Sequence, residues 1–229
     1  MSFLHFQMRK FSILPVLFIT AQMFAQSKEN ERFAIGFFAG LETQSLGIQP
    51  LDTREPEQAA VQAGRVAMGT TLGIFARRQL WTGIFFQPEL SLFYAKNQIN
   101  FRAERTQEFE FLDAELPLHF VATNWRRSDL PVHGCIIFGG RLGWNFAKNS
   151  SSHLRIAPER FALDLGLGAE IKIGCWRLQP AFVYSHGLNN LHQIDNAQYD
   201  EVVGKVVRDK LSLRLSVWRA AGKKKGATE

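Results

Sequence analysis

The sequence predicts an all-β chain: an eight-stranded antiparallel transmembrane barrel of outer-membrane type, up-and-down in topology, behind an N-terminal signal peptide. Three observations predict it. Residues 161–173 alternate almost strictly, with Phe161, Leu163, Leu165, Leu167, Ala169, Ile171 and Ile173 on one face and Ala162, Asp164, Gly166, Gly168, Glu170 and Lys172 on the other. A period of two is the signature of a strand. The return run has Trp176, Leu178, Pro180, Phe182 and Tyr184 against Arg177, Gln179, Ala181, Val183 and Ser185. Gly174-Cys175 joins the two runs, and a glycine opening a two-residue loop is what a type II′ hairpin turn requires. Such a turn pairs Ile173 with Trp176 and brings both apolar faces to one side. Second, similar alternation recurs in segments of about ten to thirteen residues, long enough to cross a bilayer when tilted. Third, the aromatic residues collect at strand ends: Trp81, Trp125, Trp176 and Trp218 at one set, Trp144, Tyr94 and Tyr184 toward the other. Aromatic girdles at two membrane interfaces produce that placement, and a water-soluble barrel has no cause for it.

The elements follow in order. Phe33–Leu41 is the first strand, and residues 42–63 form a long polar loop. The second, Arg65–Ala76, sets Val66, Met68, Thr70, Leu72 and Ile74 on one face, and Arg77–Leu80 is a short turn. The third, Trp81–Tyr94, opposes Ile84, Phe86, Pro88, Leu90 and Leu92 to Gln87, Glu89 and Ser91, and a polar loop follows at 95–106. The fourth, Gln107–Phe120, opposes Leu112, Ala114, Leu116 and Leu118 to Asp113, Glu115, Pro117 and His119, with a turn at 121–131. The fifth, Val132–Trp144, opposes Ile136, Phe138 and Leu142 to His133, Cys135, Gly139, Arg141 and Gly143 before a serine-rich loop at 147–159. The hairpin supplies the sixth and seventh. A long loop at 188–204 leads to the eighth, Lys205–Trp218, with Leu211, Leu213 and Leu215 against Arg208, Lys210, Ser212 and Arg214. The connections thus alternate long and short, as in barrels with external loops and short periplasmic turns, which puts both termini in the periplasm. Pro88, Pro117 and Pro180 each remove a ladder donor, so bulges are expected there.

Residues 1–25 carry Arg9 and Lys10, an apolar run from Phe11 to Phe24, and a small residue at Ala25, which is the layout of a cleaved secretory leader. Residues 26–219 are assigned to the barrel and 220–229, with Lys223, Lys224 and Lys225, to a disordered basic periplasmic tail. The chain has 27 basic and 21 acidic residues, and loss of the leader reduces even that excess, so nothing points to nucleic acid. Its two cysteines, Cys135 and Cys175, are too few for a disulfide scaffold or a zinc site, though a single bridge is open. Eight strands enclose an interior that side chains fill. The charges assigned to that lumen are Glu89, Asp113, Glu115, Arg141, Asp164, Glu170, Arg177 and Arg214, joined by His119, His133, Lys172 and Arg208 on the same faces. Buried charges need partners, and Arg141 is expected to meet one or more of Asp113, Glu115, Asp164 and Glu170. The alternative is a site built on His119 with Glu115 or Asp113, but no serine or cysteine nucleophile is placed beside it. No catalytic residue, cofactor or metal ligand is therefore assigned.

The stretches FEFLDAELPLHF (109–120), LPVHGCIIFGGRLGWNF (130–146) and FALDLGLGAEIKI followed by RLQPAFVYSHGLNNL (161–191) resemble the PorT family of Bacteroidetes outer-membrane proteins. The resemblance implies an eight-stranded outer-membrane barrel without catalytic residues, in contact with outer-membrane lipid and lipopolysaccharide. It further implies an accessory or assembly role in type IX protein secretion, with other subunits of that system as partners. The alternative within the membrane class is a generic small barrel for envelope support or adhesion. Outside it stand a lipid-modifying barrel enzyme and a soluble lipid-binding barrel.

Overall fold

The computed structural model describes residues 33–50, 61–63, 66–101, 105–123, 131–147, 155–193 and 203–219. Eight long strands make the wall: β1 (Phe33–Pro50), β2 (Ala67–Trp81), β3 (Ile84–Phe101), β4 (Arg105–Thr123), β5 (Val132–Asn145), β6 (Glu159–Ile173), β7 (Trp176–Gly187) and β8 (Val203–Arg219). Each pairs antiparallel with the next, and β8 returns to pair with β1 from Gly36↔Trp218 up to Pro50↔Val203. Closure leaves no open sheet edge along the shared height of the wall. The end that carries Phe33 and Arg219 is termed the lower end, and the opposite one the upper end.

The hairpin between β6 and β7 has the expected register, with Ile173 opposite Trp176 across Gly174-Cys175 and Gly174 at φ +59°. Other boundaries move outward from their expected positions. β1 continues to Pro50, so Glu42 to Gln49 belong to the wall and not to a loop. β3 and β4 run on to Phe101 and back from Arg105, so residues 95–101 and 105–106 of the expected loop are strand. The expected turn at Arg77–Leu80 is strand, and the chain reverses instead at Thr82-Gly83. The expected bulges at the prolines are absent among the described residues. The β3–β4 ladder skips from Pro88↔Leu118 to Ser91↔Glu115, and the β6–β7 ladder from Gly168↔Ala181 to Ile171↔Leu178, with the same register on both sides. A missing N–H donor costs a ladder bond there without displacing the strand. Cys135 and Cys175 are both free thiols, the first buried and the second exposed. The leader, the tail at 220–229 and Trp125 lie outside the described residues.

The wall is apolar outside and polar inside over most of its height. Leu72 and Leu167 are each 65% exposed, and Leu90, Leu142, Leu163 and Leu213 share their outward orientation. An apolar surface this continuous exceeds what a water-soluble monomer exposes. Near the upper end the sense inverts. Along β4, Glu108 and Glu110 point outward while Phe109 and Phe111 are buried inside, whereas Leu112, Leu116 and Leu118 below them face out. On β3 the outward residues change from Tyr94 to Lys96 and Gln98, and Ala95 turns inward. A strand needs only about ten residues to cross a bilayer at a tilt, so β3 with 18 and β4 with 19 stand well above it.

Close approach of aromatic rings explains two glycines on the β1–β2 seam. A Cβ on Gly36 would lie 2.4 Å from the Phe75 ring, and one on Gly73 would lie 2.6 Å from the Phe38 ring. Each ring lies over the bare backbone of the neighbouring strand, which is how Phe38 and Phe75 fit inside so narrow a barrel.

Candidate functional site

The lumen is layered. At the upper end Leu46, Phe93, Ala95, Phe109, Phe111, Leu191, Val203 and Val206 form a single apolar cluster, with Ile48 and Ile156 packed against it. Leu191 arrives there because the segment after β7 folds across the mouth. Its amide donates to the Val206 carbonyl at 2.8 Å, its carbonyl accepts from Ala157 at 2.7 Å, and His192 pairs with Ile156. At the lower end Phe38, Phe75 and Trp218 cluster, and Phe85, Val121, Cys135, Ile137, Ala181 and Val183 form a second group. Phe75 and Trp218 meet edge to face with centroids 5.8 Å apart.

Between these caps lies a charged belt. The alternation of each strand aims its members inward: Glu42 from β1, Glu89 from β3, Asp113, Glu115 and His119 from β4, Arg141 from β5, Arg160 and Asp164 from β6, and Arg208, Lys210 and Arg214 from β8. All are buried. Arg208 holds Asp113 with both terminal nitrogens, at 2.6 and 3.4 Å. Lys210 Nζ donates to Asp113 at 3.2 Å and to Glu115 at 2.7 Å. Arg141 donates to Glu115 at 2.6 Å and, through Nε and Nη2, to Asp164 Oδ2 at 2.9 and 2.8 Å. His119 then stands between two carboxylates, with Nε2 at 2.8 Å from Asp164 Oδ2 and Nδ1 at 3.0 Å from Glu89 Oε1. Arg214 Nη1 closes the series on Glu89 at 2.7 Å, and Gln87 donates to the same carboxylate at 2.8 Å. The whole is one unbroken chain of ion pairs and hydrogen bonds in which His119 bridges two carboxylates. Arg160 flanks it, bound to Ser185 Oγ at 2.9 Å and to the Arg208 carbonyl at 3.2 Å. Where the belt meets the caps its cations lie over rings: Lys210 Nζ is 3.3 Å from the Phe93 centroid, and the Arg208 guanidinium is 4.7 Å from that of Phe111.

Of the eight lumen charges expected from the alternation, Glu89, Asp113, Glu115, Arg141, Asp164 and Arg214 lie in the belt. Glu170 and Arg177 are separate, 3.8 Å apart at the lower end, where Glu170 also takes a 3.0 Å bond from Arg77. Arg77 is buried with its guanidinium 4.0 Å from the Phe85 ring, so it is a lumen residue and not part of a turn. Lys172 shares the inward face but is exposed at the lower mouth. Of the aromatic residues assigned to the girdles, Trp81, Trp144, Trp176, Tyr94 and Tyr184 point outward. Trp218 does not: it is 5% exposed and belongs to the lower cap. It is two residues on from Ser216 and four from Arg214, so the alternation of β8 turns it inward whatever its height. Trp81 escapes the same fate because the register shifts between Gln79 and Trp81.

The belt offers no route to chemistry at His119. Its partners are Glu89 and Asp164 and not Glu115 or Asp113, both ring nitrogens are engaged, and the residue is 0% exposed. Among the described residues no group of three or more His, Cys, Asp or Glu is placed to hold a metal ion. Above the apolar band, Lys96 Nζ donates to Glu110 at 2.7 Å, and this hydrogen bond raises the lysine above its ordinary pKa.

Among solved structures, the chain is similar to the outer membrane protein OprG from Pseudomonas aeruginosa, with 12% identity, 86% of this chain and 99% of that chain covered, and a TM-score of 0.51. At that identity the likeness speaks to the fold. The outer membrane protein AlkL, solved in lipid bilayers, matches at 16% identity over 89% of this chain and 97% of its own, with a TM-score of 0.46. Neisserial surface protein A matches at 13% over 82% and 97%, with a TM-score of 0.41. No curated protein matches the sequence significantly. Residues 24–193 match the family described as "Outer membrane protein beta-barrel domain", which covers most of the chain. The outward apolar wall, the inward charges and this match agree: the chain belongs to the outer membrane protein beta-barrel domain family.

Proposed function

We propose that this protein is a non-enzymatic outer-membrane barrel that supports the envelope or mediates surface adhesion, and that it is not a conduit. The observation that carries the reading is the lumen, in which apolar caps at both ends enclose a belt whose carboxylates and cations are mutually paired. Such a core resists both ion passage and substrate entry. The working surfaces are then the outward wall, in contact with lipid and lipopolysaccharide, and the upper rim carried by β3 and β4. The lower end, where β1 begins and β8 ends, faces the periplasm. Purified protein in a planar bilayer should show no conductance steps, and its gel mobility should be heat-modifiable. Cys175 tests the orientation directly, because it is exposed in the lower turn while Cys135 is buried. An impermeant maleimide should label Cys175 only after the outer membrane is permeabilised, and labelling of intact cells would invert the topology.

The accessory role in type IX secretion is the second reading, and the ordered motifs at 109–120, 130–146 and 161–191 favour it. A deletion strain separates the two. Loss of surface attachment or detergent resistance with normal cargo display supports the first. Cargo retained in the periplasm of an otherwise intact envelope supports the second.

A further inference from the structure

Glu42 is the belt carboxylate with no direct hydrogen bond to either of its cations. Lys210 Nζ stands 3.6 Å from Oε2 and Arg141 Nη1 3.8 Å from Oε1, and Oε2 has no hydrogen-bond partner in the protein. The residue is 2% exposed, and a buried carboxylate without direct hydrogen bonds is expensive. Its surroundings repeat the pattern. Both side-chain polar atoms of Gln44 and the hydroxyls of Thr71 and Ser212 are buried with no partner in the protein. Register places them together: Ser212 opposes Glu42 and Lys210 opposes Gln44 across the β8–β1 seam, while Thr71 and Arg214 flank Gly40 on either side of β1. Elsewhere in the belt Arg160 Nη1, Asp164 Oδ1, Arg208 Nε and Arg214 Nε also lack hydrogen-bond partners, but each of those side chains makes a direct hydrogen bond through another atom. The polar side-chain atoms of Gln44, Thr71 and Ser212 make none.

We propose that this wall is a hydration site, in which a small cluster of ordered water bridges Glu42 to Lys210 and Arg141 and continues to Gln44, Ser212 and Thr71. The donor set selects the ligand. Two cations beside Glu42 exclude a metal ion, and the carboxylate itself excludes an anion. The unpaired atoms include donors and acceptors, so the ligand must offer both, and water is the smallest molecule that does. Polar contacts just beyond 3.5 Å are where bridging water is expected, and buried water makes about three hydrogen bonds to otherwise unpaired groups. The apolar caps above and below make the cluster a sealed one.

The test uses the whole protein refolded in detergent micelles or nanodiscs. The Gln44 side-chain amide should show magnetisation exchange with long-lived water, although the residue is 0% exposed. Thr71→Val, which keeps the shape and removes the hydroxyl, should lower the urea midpoint because a bridged partner is lost. If the hydroxyl were dry and unpaired, the same change would raise the midpoint. Absence of water cross-peaks at Gln44, or a raised midpoint for Thr71→Val, overturns the proposal. The Gln44 readout uses the unaltered protein, so it decides the question even where Thr71→Val fails to fold.

Discussion

Residues 108–111 and 112–119 of β4 belong to one strand, yet they are built inside out relative to each other. In the lower stretch Asp113, Glu115 and His119 face the lumen and Leu112, Leu116 and Leu118 face outward. In the upper stretch the acidic side chains point outward and the phenylalanines fill the interior. The backbone and its period are the same in both. What differs is the surrounding medium, lipid for one and water for the other, so each sense of alternation is the one that medium favours. Along this part of β4, where the wall is apolar the inward positions carry charged residues, and where the wall is polar they carry packed phenylalanines.

The comparison can be broken most forcefully at the ionic core. Arg141→Ala leaves Glu115 and Asp164 without their shared partner, and breaking a buried pair of this kind costs about 3–5 kcal/mol. Urea titration of the barrel in micelles measures it, and a change within error would sink the account of a continuous network. The outward faces provide a sharper contrast. Leu165→Arg on the lower wall should cost about 2–4 kcal/mol, whereas Gln98→Arg on the upper wall should stay within about 0.5 kcal/mol. Equal costs at the two positions would mean that the medium does not change where the alternation inverts. In the upper core, Leu46→Met is close to volume-conserving and should cost less than about 1.5 kcal/mol, because hydrocarbon packing tolerates exchange that a charge network does not.

The smallest effect is expected at Lys96. Its folded pKa is raised by the hydrogen bond to Glu110, so any contribution is complete below the unfolded lysine value of about 10.4 and is lost as pH climbs through the folded one. Both side chains are more than half exposed, and exposed pairs contribute little. Lys96→Met should leave the urea midpoint at pH 7 unresolved from the parent, and any difference in their pH dependence should be confined to the alkaline limb.

The inversion also explains what was legible in the sequence. The membrane-level parts of all eight strands show apolar-out alternation, and Glu89, Asp113, Glu115, Arg141, Asp164 and Arg214 were identifiable by face alone. Glu42 and Gln44 were not, because their outward neighbours Thr43 and Ser45 are polar as well, and a stretch polar on both faces carries no periodic signal. Residues 95–98 resembled a loop for the related reason that Lys96 and Gln98 occupy the wall above the lipid. Arg160 sits one residue before the apolar run that begins at Phe161, and Arg77 follows one that ends at Ala76. Trp218 shows the opposite error. Its height was right, but side-chain direction is set by parity along β8, and an aromatic at a strand end can fill a cap as readily as it can sit at an interface.

The pairing of β8 with β1 has a consequence for how the lumen is completed. Arg208, Lys210 and Arg214 all reside on β8, the strand that closes the ring onto β1. A sheet holding only the first seven strands would present the carboxylates of Glu42, Glu89, Asp113, Glu115 and Asp164 to Arg141 and Arg160 alone. Without β8 the belt carboxylates would outnumber their cations, and a sheet closed through β7 onto β1 would bury unpaired charge. Arrival of β8 supplies three positive charges together with the final ladder of hydrogen bonds. One strand therefore completes both the ring and the charge balance of the belt.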